Sequence, residues 1–156
     1  MNVSDNPKIN DVNHLTLLTT LDASIKSGIT QNGIYKLQNL TSLNVDTNSK
    51  IHDVNHLTLL TTLDASWDSG ISQSGIFNLQ NLTNLNVSHN NKIHDVNHLT
   101  LLTTLNASGK SGINQNGISK LKNLSTLNVY NNININDVNH LTLLTTLDTS
   151  GDSGIS

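Results

Sequence analysis

The stretch Asp11-Val-Asn-His14-Leu15-Thr-Leu-Leu18-Thr-Thr-Leu21 returns unchanged at Asp53–Leu63, Asp95–Leu105 and Asp137–Leu147, 42 residues apart each time. Four copies at one spacing, with no insertion between them, make the chain a repeat array. Each 42-residue unit divides into two halves. One half runs Leu18-Thr-Thr-Leu21-Asp-Ala23-Ser24, then Gly28-Ile29-Thr30-Gln31-Asn32-Gly33-Ile34 and Leu37. The other runs Leu40-Thr-Ser-Leu43-Asn-Val45, then Asn48, Ile51, Val54 and Leu57. The 22-residue halves are 18–39, 60–81 and 102–123, and the 20-residue halves are 40–59, 82–101 and 124–143. Partial copies at 1–17 and 144–156 flank them, and residues 1–156 read as a single domain.

In each half, Leu-x-x-Leu-x-(Ala/Val) is a strand signal. The second Leu and the Ala or Val stand two apart and share one face, while the polar residue between them takes the other. Beyond the strand the apolar spacing becomes three, through Ile51, Val54, Leu57, Leu60 and Leu63, which suits 3₁₀-like or irregular backbone. Thr30 is placed to cap a short helical turn over Asn32–Leu37, with Gly33 weakening it. Leu21, Ala23, Ile29, Leu37, Leu43, Val45, Ile51, Val54 and Leu57, with their equivalents 42 and 84 residues on, form the expected core; Leu59 and its equivalents are expected half-buried.

Leu-x-x-Leu-x-(Leu-like)-x-x-Asn every twenty or so residues resembles the leucine-rich repeat family. Leu43/Val45/Asn48, Leu85/Val87/Asn90 and Leu127/Val129/Asn132 match that pattern. The alternating lengths resemble its cysteine-containing and internalin-like subtypes; Ser27-Gly28-Ile29-Thr30-Gln31-Asn32-Gly33-Ile34 follows the Cys-x-x-Ile-Thr-Asp-x-Gly-Leu pattern, with Ser near the Cys place and one residue displaced. The resemblance implies an α/β fold: a right-handed solenoid with a parallel β-sheet on its concave face and short 3₁₀ or α turns on its convex face. It further implies that Asn6, Asn48, Asn90 and Asn132 point inward to backbone groups of neighbouring turns. Ser27, Ser69, Ser111 and Ser153 are expected to take up loop backbone groups.

Composition narrows the functional classes. In 156 residues the net charge is −3, which supplies no electrostatic footprint for nucleic acid. There is no Cys, hence neither disulfide nor thiolate zinc site. No apolar run approaches membrane-spanning length, and the polar start Met1–Asn6 lacks a signal-peptide pattern, so membrane association is not expected and an intracellular location is. His14, His56, His98 and His140 recur every two turns, roughly 10 Å apart, too far to share one metal. His52 and His56 lie four apart, but on a segment of period three, which breaks the helical geometry that co-ligation needs. These histidines read as a solvated face. Ser, His and Asp recur as columns and never as one unique constellation, so neither catalysis nor a cofactor is expected.

The chain departs from its own repeat just after the strands. That position reads Ile25, Thr47, Trp67, His89, Gly109, Asn131, Gly151, and Trp67 and His89 fall in adjacent turns. Ile25, Trp67, His89 and Tyr130 are therefore the candidate protein-binding residues, an exposed Trp being a common interface anchor. Tyr35 and Phe77 hold equivalent places on the opposite side, where the third copy has Ser119. Two functions follow: a non-enzymatic protein-interaction scaffold using the concave sheet and its edge, or a structural, self-assembling segment. The second rests on ends without polar caps, which favour end-to-end association.

Overall fold

A computed structural model describes residues 1–155; Ser156, the last residue of the closing partial unit, lies outside the described residues. Seven strands form one parallel sheet in chain order: β1 (Thr20–Asp22), β2 (Ser42–Asn44), β3 (Thr62–Asp64), β4 (Asn84–Asn86), β5 (Thr104–Asn106), β6 (Thr126–Asn128) and β7 (Thr146–Asp148). The register is constant, with Leu21, Leu43, Leu63, Leu85, Leu105, Leu127 and Leu147 abreast. Met1–Val3 adds a bridge beside β1, where the Val3 N–H donates to the Asp22 carbonyl.

Every strand is only three residues long, because the chain must leave the sheet to complete each turn. Apolar side chains at every bend point to one axis. Leu63 and Ala65 come from the sheet, Ile71, Ile76 and Leu79 from the far side, and Ile51, Val54 and Leu57 from the return path, all buried. The expected core is borne out with one exception. Val138 is half-buried where its equivalents Val54 and Val96 are fully buried, because the turn that would cover it is incomplete. Leu59 and Leu101 are each 48% exposed, in line with their ambiguous place.

Helix is confined to one turn per 42-residue unit: 3₁₀ at Gln31–Ile34 and Gln73–Ile76, α at Gln115–Ile118. Thr30 precedes the first but makes no side-chain capping bond, and the turn stops at Ile34 rather than reaching Leu37. Only Asn114 in the third copy caps, accepting from the Gly117 N–H. The glycines are not weak spots in these turns. A Cβ on Gly33, Gly75 or Gly117 would overlap the carbonyl oxygen of Asn10, His52 or His94 in the preceding turn. Glycine stands here because backbone packs on backbone, and the helical turn could not otherwise approach.

Polar ladders close the remaining backbone groups. The buried Asn48 Nδ2 donates to the Ala23 carbonyl at 2.7 Å and the Ile29 carbonyl at 3.3 Å, while its Oδ1 accepts from the Lys50 N–H. Asn90 and Asn132 repeat this. Asn6, with no preceding turn, keeps only the Lys8 N–H and is half-buried. The Ser27, Ser69 and Ser111 hydroxyls accept from the N–H two residues on, as expected. Among the described residues no buried side-chain nitrogen or oxygen lacks a partner.

Candidate functional site

The rim after the strands has a backbone signature. Asp5, Ile25, Thr47, Trp67, His89 and Asn131 all have φ between 53° and 58°, and Gly109 and Gly151 complete the column at 64° and 71°. Left-handed backbone suits Gly, Asn and Asp, and it disfavours β-branched and bulky side chains by roughly 1–2 kcal/mol. The fold imposes it all the same. Ile25, Thr47, Trp67, His89, Gly109 and Asn131 each extend the inter-turn ladder past their strand, as when the Trp67 N–H donates to the Ser88 carbonyl at 2.8 Å. The chain then bends at once: the Ser27 N–H returns to the Ser24 carbonyl, and the Asn48 N–H to the Val45 carbonyl.

Of the four candidate residues, the structure brings two together. The Trp67 indole stacks on the His89 imidazole, with ring centroids 4.0 Å and planes 9° apart. Trp67 remains 54% exposed. The His89 ring in turn occupies the space a side chain on Gly109 would need. Ile25, 45% exposed, stands two turns before Trp67, and Tyr130, 44% exposed, stands two turns beyond His89 on the preceding position of its turn. Each is two turns, roughly 10 Å along the sheet, from the nearer member of the stacked pair. Sequence reasoning found the variable column but missed its left-handed backbone; the Gly, Asn and Asp members of that same column were the available signal.

The sheet face beside this rim is polar. Asp22 Oδ1 accepts from the Ser24 hydroxyl at 2.7 Å, and Asp64 Oδ2 accepts from the Asn86 amide at 2.9 Å. Ser24, Ser66, Ser88 and Ser108 are buried rather than open; the Ser24 and Ser66 hydroxyls donate to Asp22 and Asp64, and the Ser88 and Ser108 N–H groups to Asn86 and Asn106 Oδ1.

The opposite side holds a second aromatic series. Tyr35 packs on His56 and Phe77 on His98, each with centroids 5.9 Å apart. The histidine column is not a merely solvated face, as its spacing suggested. His56, His98 and His140 Nε2 each lie 3.1–3.2 Å from the carbonyl of Ile34, Ile76 or Ile118 at the end of the preceding helical turn, so that nitrogen carries the proton. Neighbouring Gln31, Gln73 and Gln115 are likewise committed, each bonding backbone groups one turn on. Asn39, Asn81 and Asn123 donate their side-chain nitrogens to the Thr16, Thr58 and Thr100 carbonyls. These side chains hold turns together and have little capacity left for a ligand. Among the described residues no three His or Asp groups are placed to hold a metal ion, and no helix is long and apolar enough to cross a membrane.

No family model matches this sequence, and no curated protein does. Solved structures do. An internalin of Listeria monocytogenes, InlC2, superimposes with a TM-score of 0.64 over 92% of this chain at 26% identity. The chain has the leucine-rich repeat fold. Its solenoid also resembles Listeria monocytogenes InlF, with a TM-score of 0.63 over 97% of the chain at 24% identity. The functional domain of InlJ from the same organism, which includes a cysteine ladder, matches with a TM-score of 0.56 over 92% at 21% identity. This chain has no Cys and carries Ser27, Ser69 and Ser111 in the places where its repeats resemble the cysteine-containing subtype. It spans 64%, 54% and 37% of the lengths of InlC2, InlF and InlJ respectively.

Proposed function

We propose that residues 1–156 are a single non-enzymatic leucine-rich repeat domain that binds another protein through its open sheet face and the adjoining rim. Ile25, Trp67, His89 and Tyr130 are the contact residues. They span β1 to β6, five inter-strand steps, or roughly 24 Å. The observation that carries the reading is Trp67: bulky, more than half exposed and left-handed, in a column where the chain itself uses Gly109 and Gly151. A side chain kept against local backbone preference points to a role outside the fold. The internalin-like architecture, typical of protein-interaction scaffolds, supports the same reading.

The test is affinity capture with the wild-type chain, Trp67→Ala and Phe77→Ala. A partner held by the wild type and by Phe77→Ala, but lost with Trp67→Ala, supports the rim. A partner lost only with Phe77→Ala moves the site to the opposite face.

A second reading is end-to-end association of this polypeptide. Leu17 is 87% exposed beside a depression of about 390 Å³ lined by His14–Leu18, and Leu147 is 40% exposed at the far edge of the sheet. Both regions offer apolar surface and an unpaired strand edge to a second copy. Sedimentation across a concentration series decides it; a monomer throughout ends this reading.

A further inference from the structure

The open sheet face changes character along its length. Over β1–β3 it carries Asp22, Asp46 and Asp64; from β4 to β6 the matching places hold Asn86, Ser88, Asn106, Ser108, Asn128 and Tyr130, and β7 ends on a lone carboxylate again, Asp148. None of the 8 Lys stands in a strand or in the column after it, and the chain contains no Arg. Lys26 and Lys110 directly follow that column, and Lys50 and Lys92 are turned to the Ser27 and Ser69 carbonyls. The side chains bonded to these carboxylates are Ser24, Ser66 and Asn86, none of them cationic. The Ser66 Oγ lies 3.1 Å from Asp46 Oδ1 and 2.5 Å from Asp64 Oδ1, and a hydroxyl has one proton to donate. Next in the chain is Trp67, with His89 on one side of its ring and the rest half open.

We propose that this N-terminal part of the sheet face docks an extended basic segment of the partner protein. Lysine or arginine side chains reach Asp22, Asp46 and Asp64, and a further cationic side chain stacks on the Trp67 indole. The reading rests on the partner-binding strip proposed above and adds the partner's charge. Charge complementarity selects the occupant: a cluster of carboxylates without a cation attracts positive charge, and an indole face attracts it through the ring quadrupole. A metal ion does not fit, since the three carboxylates are spread over three strands, roughly 10 Å, and among the described residues none form a ligand set. The Tyr35/Phe77 side does not compete, because its amides and imidazoles are already bonded to backbone.

The probe is an unstructured peptide of alternating arginine and glycine, with a glutamate–glycine peptide of equal length as control. Trp67 is the only Trp, so its fluorescence reports on the site. The arginine peptide is expected to bind and change that fluorescence, more weakly at higher salt, and the glutamate peptide to do neither. Joint replacement Asp22→Asn, Asp46→Asn and Asp64→Asn keeps the side-chain oxygens that Ser24 and Ser66 use, and is expected to weaken binding about tenfold. Joint replacement Asp53→Asn, Asp95→Asn and Asp137→Asn removes the same charge elsewhere and is expected to leave binding unchanged; circular dichroism checks that both variants fold. Equal weakening by the two triples, or no weakening by the first, overturns the proposal. A captured partner protein that is lost with Trp67→Ala but held fully by the sheet-face triple overturns the basic segment while leaving the rim reading intact.

Discussion

The Trp67 indole lies flat on the His89 imidazole, 4.0 Å between centroids, and the imidazole in turn covers the bare backbone of Gly109. Three consecutive turns thus cooperate at the rim: one supplies the exposed ring, the next supports it, and the third leaves room. Gly109→Ala is expected to push the imidazole aside and unstack the pair without unfolding the chain. Trp67 fluorescence and the His89 ring-proton shifts check this; unchanged spectra in the variant would show that Gly109 does not set the stack.

Ile25 carries a β-branched side chain at a φ of 57°. Ile25→Gly is expected to relieve the left-handed strain, by about 1 kcal/mol, and to leave stability unchanged or improved despite the lost side chain. Denaturant unfolding measures it. A loss above 1 kcal/mol would mean that Ile25 packs more tightly than its 45% exposure implies.

The buried column is expected to respond in the opposite sense. Leu85→Ala should destabilise by about 2–5 kcal/mol. Asn90→Ala strips partners from the Ala65 and Ile71 carbonyls and the Lys92 N–H, and should remove about 3 kcal/mol. Asn6→Ala, at the same repeat position without a preceding turn, should have little effect. Equal losses at Asn6 and Asn90 would contradict the inter-turn role.

Gly75→Ala tests backbone packing directly. Its Cβ would overlap the His52 carbonyl oxygen, so the turns must separate, with an expected loss of about 1–3 kcal/mol. Helix propensity alone predicts a gain for the same change, so the sign of the unfolding shift separates the two accounts.

Two exposed carboxyls bind protons less readily than usual. Asp11 is held below 3.8 mainly by the Asn13 backbone N–H and side-chain amide, and Asp148 by the Ser150 hydroxyl and N–H. A folded-state value below the unfolded one contributes stability above the unfolded value and loses it as pH falls through the folded value. Carboxyl NMR titration should therefore place both midpoints below 3.8, and Asn13→Ala, which removes the side-chain amide and keeps the backbone N–H, should bring Asp11 part of the way back up. A midpoint unmoved by Asn13→Ala would rule out the side-chain amide as a cause and leave the backbone N–H.

The 42-residue period, the strands and the inward Leu, Ile and Val were legible because each depends on local spacing, and the inward Asn column was legible through the family resemblance. Strand side chains alternate, and an apolar residue at every bend can only be satisfied by a stacked neighbour, so periodicity alone determines which residues are inside. Trp67 and His89 were legible as neighbours for the same reason, since adjacent turns align by register. What a single turn contains did not reveal what the next turn demands of it. The left-handed φ at Ile25 and Trp67 follows from continuing the ladder to Asp46 and Ser88 before an immediate bend. The glycine at Gly75 follows from a carbonyl 23 positions earlier, and the anchoring of His56 from one 22 positions earlier. These are contacts between turns, and their geometry is set only when the turns stack; the sequence determined the coil, and the stacking decided which rim residues are strained, which are anchored and which are left open to a partner.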